Sequence, residues 1–70
     1  MAIGKQDMDR YEAALSKLPP TDRAAIIYRL EFQYDHAEVA ELLGKPNANA
    51  ARAAVGRAVK KLMEHLDGEP

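Results

Sequence analysis

Between residues 34 and 62 the chain reads as two apolar-periodic segments broken at Gly44-Lys45-Pro46. That break constrains the fold more than any other feature. Proline cannot continue a helix and pushes the residue before it out of the α region, so Lys45-Pro46 forbids one long rod. Gly44 can take the left-handed conformation that closes a helix. Asp35 stands where an N-cap belongs and Glu38 follows three residues on, the capping-box spacing that satisfies orphan amides of a first turn. Val39, Ala40 and Leu43 then share one face, with Ala40 small enough for a second helix backbone to approach closely. Beyond the turn, Asn47 can cap a second helix whose apolar face is Ala51, Val55, Val59, Leu62 and Leu66, spaced by four, four, three and four. The two helices must cross, and the second keeps a polar, basic face outward. This is the pattern of a helix-turn-helix, a motif that reads DNA.

The net charge of −1 hides a division along the chain. Residues 1–44 carry five basic and eight acidic side chains; residues 45–61 carry five basic and none acidic; residues 62–70 carry three acidic ones. The basic block is Lys45, Arg52, Arg57, Lys60 and Lys61. A field of one sign confined to one element is the footprint of a polyanion site, whatever the overall charge. The preference of helix C-terminal halves for Lys and Arg explains Lys60 and Lys61 well, Arg57 less well, and Arg52 and Lys45 hardly at all.

Taken in order, residues 1–6 show no periodicity and are expected to be a disordered end. A domain is expected over residues 7–66, followed by a disordered acidic tail at 67–70. Met8, Tyr11, Leu15 and Leu18 recur at three, four and three, the stripe of an amphipathic first helix with Asp7 and Asp9 suited to its N-terminal turn. Pro19-Pro20 closes it, and a second helix from about Thr21 to Phe32 is apolar on more than one side. The expected architecture is all-α, a small three- to four-helix bundle ending in the helix-turn-helix. Its expected core is Tyr11, Leu15, Leu18, Ile26, Ile27, Leu30, Tyr34, Val39, Leu42, Leu43, Val55, Val59 and Leu62.

At 70 residues the chain has room for one small domain. It has no cysteine, which removes disulfides and thiolate metal sites and fits a reducing, cytoplasmic compartment. No apolar run approaches the roughly 20 residues of a membrane span, and the N-terminus lacks a signal-peptide core. Ser16 is the only serine, there is no glycine-rich phosphate loop, and His36 and His65 stand at opposite ends of different helices. The paired carboxylates Asp7/Asp9 and Glu38/Glu41 belong to exposed helix faces. Neither catalysis nor a metal or cofactor is indicated.

Leu18-Pro19, Arg23 four positions after that proline, an apolar helix, EVAELLG, and Arg57-Ala58 ahead of Leu62 together resemble region 4 of bacterial sigma-70-family sigma factors. The likeness is greatest to the extracytoplasmic-function group and covers about Tyr11 to Leu66. It departs from the commonest family form in a turn, KPNANA, one residue longer, and in Ala53 and Ala54 where many members place a charged or polar reader. The resemblance implies a winged-helix-like domain without a wing that binds double-stranded promoter DNA about 35 base pairs upstream of the start site. It also implies docking on the flap of the RNA polymerase beta subunit, masking by an anti-sigma factor, and a monomer in isolation. Asn49, Arg52 and Ala53 are the expected base-reading positions, since Asn suits adenine and Arg suits guanine in the major groove. Arg23, Lys45, Arg57, Lys60 and Lys61 are the expected phosphate contacts, and Tyr28 and Phe32 an expected protein-docking surface. Two alternatives stand beside this one: a helical module that binds only protein, and a helix-turn-helix regulator of another kind, such as a LuxR-type output domain.

Overall fold

Four helices make up residues 4–68, the part of the chain that the computed structural model describes: α1 (Lys5–Ser16), α2 (Pro20–Ile26), α3 (His36–Leu43) and α4 (Ala48–Gly68). Among the described residues there is no strand, and the all-α expectation stands. The expected disordered ends fall partly at residues 1–3 and 69–70, outside the described residues; within them, α1 begins at Lys5 and α4 continues through Gly68.

Each helix boundary follows from a residue that suits it. The Met8 amide donates to the Gly4 carbonyl at 3.0 Å, so α1 starts two residues ahead of Asp7 and only Asp7 remains in its first turn. It closes with Lys17 and Leu18 donating to Ala14 and Leu15, both at 3.1 Å, the tightened last turn of a helix facing two prolines. Pro20 opens α2 at the position where a missing amide costs nothing. At the start of α3, Asp35 Oδ1 accepts from the Glu38 amide at 2.8 Å. At its end Gly44 has φ 71°, and the Lys45 and Gly44 amides donate to Ala40 and Glu41 at 2.7 and 3.3 Å, a Schellman closure. Asn47 Oδ1 then accepts from the Ala50 amide at 2.9 Å and opens α4. The three sequence signals that define the helix-turn-helix are all in use.

The second helix departs from expectation in its last turn. Residues Ile27–Glu31 form a π turn, with the Phe32 amide reaching back five residues to Ile27 and the Tyr34 amide six residues to Tyr28. Leu30, expected in the core by α-helical spacing from Ile26 and Ile27, is turned outward by the wider turn and is 50% exposed. Leu42 is a second correction, 51% exposed. It falls about 100° round from Leu43, beyond the edge of a face filled by Val39 and Ala40.

Ile26 and Val39 lie at the centre, fully buried, among Ala14, Leu15, Leu18, Ala25, Ala40, Ala51, Ala54, Val55, Ala58 and Leu62. Tyr11, Ile27, Tyr34, Leu43 and Val59, expected inside, pack half-buried around this centre. α4 lies against α1, α2 and α3 together. Its buried stripe is Ala51, Val55, Ala58 and Leu62, with Ala58 in the place expected of Val59. Ala25 on α2 and Ala40 on α3 let the helices approach closely, so the centre of the stripe takes small side chains and Val59 flanks it.

Candidate nucleic-acid interface

The Asn47 cap and the buried stripe together determine which side of α4 meets solvent. Asn49, Arg52, Ala53, Gly56, Arg57 and Lys60 are all exposed and recur at three or four residues or sit beside a residue that does, so they form one continuous outward band. Asn49 and Arg52 lie within about one turn of the helix start, the end that enters the major groove in helix-turn-helix docking. From Asn49 to Lys60 the band is about 17 Å long, which matches roughly five base pairs. It contains no acid until Glu64, one turn past Lys60. Ala54, by contrast, is buried in the core, so that position offers nothing to a base.

Among the described residues, no hydrogen bond or ion pair within the chain engages the side chain of Arg23, Lys45, Arg52, Arg57 or Lys60. Other cations are engaged. Arg10 donates to the Leu66 carbonyl at 3.1 Å, and Arg29 to the Tyr34 carbonyl at 2.9 Å. Lys61 Nζ sits 2.8 Å from Asp22 Oδ2, tying α4 to the start of α2. Lys61 is therefore the one expected phosphate residue whose charge is met inside the chain; no sequence signal links it to Asp22. Arg23 on α2 and Lys45 in the turn are half-exposed at the edges of the same assembly. Free guanidinium and ammonium groups along one helix face, with an amide side chain at its leading end, can hold phosphates and read base edges.

The expected docking pair belongs to a larger aromatic group. Tyr28 lies 6.3 Å from both Phe32 and Tyr34 between ring centroids, and Phe32 and Tyr34 are 5.5 Å apart. Phe32 is 56% exposed, and Tyr28 and Tyr34 are half-buried. Tyr34, expected in the core, packs half-buried against it and brings its ring beside both Tyr28 and Phe32. On the other side of the π turn, the Tyr11 hydroxyl donates to Glu31 at 2.9 Å. Burial, then the bond to the Glu31 carboxylate and its charge, push the Tyr11 pKa up to about 12.

Among the described residues no helix is long and apolar enough to cross a membrane, and no three His, Asp or Glu side chains gather as a metal site. The family described as Sigma-70, region 4 matches the chain over residues 8–62. Comparison with curated proteins and with solved structures gives no match.

Proposed function

From the premise that this chain belongs to the sigma-70 region 4 family, a DNA-binding domain of the promoter −35 element in transcription initiation, we propose how its own residues divide that work. Asn49 and Arg52 read base edges, with the Ala53 methyl beside them for a thymine methyl. Arg23, Lys45, Arg57 and Lys60 hold phosphates and set the register. Lys61 joins them only when Asp22 releases it. The observation that carries this reading is the outward band of α4, basic, free of acid from Asn49 to Lys60, and without internal partners. A module that binds only protein has no need of such a band.

Arg52 and Lys60 should fail differently. Selection from a random duplex pool at low salt defines the preferred sequence. On it, Arg52→Ala is expected to cost about 1–3 kcal/mol and to flatten discrimination at one base pair. Lys60→Ala should weaken all sequences alike and lower the salt slope by about one. Unchanged sequence preference in Arg52→Ala would assign base reading to other residues.

The Tyr28–Phe32–Tyr34 rings supply the second half of the proposal, a protein-docking surface for the polymerase flap or an anti-sigma factor, as in the extracytoplasmic-function group. Its support is the exposure of Phe32 beside two half-covered tyrosines. Replacing Tyr28 and Phe32 by Ser should weaken binding of a purified flap domain or anti-sigma factor and leave DNA affinity unchanged. Equal binding by the double variant would remove the rings from the interface.

A further inference from the structure

Gln6, Arg10, Ala13 and Lys17 recur along α1 at four, three and four residues, a stripe beside the one that α1 buries. Against it α4 brings His65 and Leu66 of its last turns, and with Ala14 at the base the two helices border about 470 Å³ of open space. That is within the roughly 300–1,000 Å³ of small-ligand sites. Among the described residues the lining holds two cations, an imidazole and a carboxamide, and no carboxylate. Asp7, Asp9, Glu12 and Glu64, their neighbours in sequence, stand outside it. Arg10 is fixed from one side, where it donates to the Leu66 carbonyl at 3.1 Å. The same bond covers part of the negative end of a helix dipole, which would otherwise repel an anion. A guanidinium offers more N–H donors than one carbonyl uses, and no carboxylate of the described residues pairs with Arg10 or His65.

We propose that the trough between α1 and the end of α4 binds a small phosphorylated ligand, its phosphoryl oxygens on Arg10, Lys17 and His65 and its uncharged body along Ala13, Ala14 and Leu66. A planar guanidinium matches two oxygens of a phosphoryl group at once, and donors placed at separate points around it suit a group with three oxygens better than a carboxylate with two. Ala13 and Ala14 leave the space between the cations empty, so the ligand needs no side chain to move aside. His65 lies about 20 Å along α4 from Arg52, so the trough is separate from the outward band and the proposal does not depend on which residues read bases. An occupant would brace α1 against the last turns of the helix that carries the band.

ADP is the probe, titrated without divalent cations at constant ionic strength into the isotope-labelled chain, with adenosine as the comparison. Amide shifts at Gln6, Arg10, Ala13, His65 and Leu66 should saturate together, and ADP should bind roughly tenfold or more tightly than adenosine. Ala13→Glu puts a carboxylate between Arg10 and Lys17 at an exposed helix position, and Ala13→Gln puts the same volume there without the charge. With helicity checked by circular dichroism, the Glu variant should bind ADP roughly tenfold more weakly than the Gln variant, and His65→Ala should weaken it about threefold. Saturating shifts at Arg52 to Lys60 in place of the trough residues would overturn the proposal, since the anion would then be held by the outward band. Equal affinity of the two Ala13 variants, or of ADP and adenosine, would overturn it too, because the phosphoryl group would not be what the trough recognises.

Discussion

Gln33 holds a backbone conformation that its side chain does nothing to favour. Its φ of 59° lies in the left-handed region, where a residue with a Cβ is disfavoured by roughly 1–2 kcal/mol. The conformation persists because it closes the π turn: the Tyr34 amide bonds to Tyr28 at 3.1 Å, and the Arg29 guanidinium holds the Tyr34 carbonyl. Gln33→Gly should therefore raise stability by about 0.5–1.5 kcal/mol in urea unfolding, unlike most glycine substitutions. Asp35, Gly44 and Asn47 were legible because each is a residue type whose chemistry suits the boundary it makes; Gln33 is not, which is why the π turn and the outward turn of Leu30 were hidden. Tyr11 gives a pH test at the same scale. Its folded pKa of about 12 lies above its ordinary 10.0, so the folded chain holds that proton more tightly. The stabilisation is fully present below pH 10 and is lost as pH rises toward 12. Urea midpoints measured through that window should fall less steeply in Tyr11→Phe than in the parent chain.

Along α4 two small residues behave in opposite ways. Ala58 is fully buried at the helix crossing, although apolar spacing pointed to Val59. An alanine carries too little apolar surface to stand out in a periodicity, and only the packed neighbours reveal that the crossing needs one. Ala58→Leu should destabilise by about 1–3 kcal/mol in urea, through displaced neighbours on α2 and α3. Gly56 faces water, and a Cβ built on it meets nothing within 4 Å. Gly56→Ala should stabilise α4 by about 0.5–1 kcal/mol for that reason. The outward band itself was readable, since cap, stripe and charge all specify the same rotation of the helix; Ala54 was on the wrong side of it for any reader.

Across the whole molecule, Lys61 at the inner end of the α4 band pairs with Asp22 at the start of α2. The lysine of that pair is half-exposed, so removing the contact should cost under about 1 kcal/mol of stability. Its effect on DNA should be larger. Asp22→Asn frees Lys61 for phosphate, and salt titrations should show tighter binding at low salt with a slope steeper by up to about one. Sequence alone could not anticipate this, because the two residues are 39 apart and meet only through the fold. The makeup of the core has a thermal consequence. Among the described residues twelve hydrophobic side chains are buried, six of them alanine, and the two largest that are fully buried are an isoleucine and a valine. A domain this size has a melting entropy of about 0.14 kcal/mol/K, so each kcal/mol moves its midpoint by about 7 °C. DNA at a hundred times its dissociation constant adds about 2.7 kcal/mol to the folded side. Occupancy of the α4 band should thus raise the melting temperature by some 15–20 °C, making heat a direct readout of promoter binding.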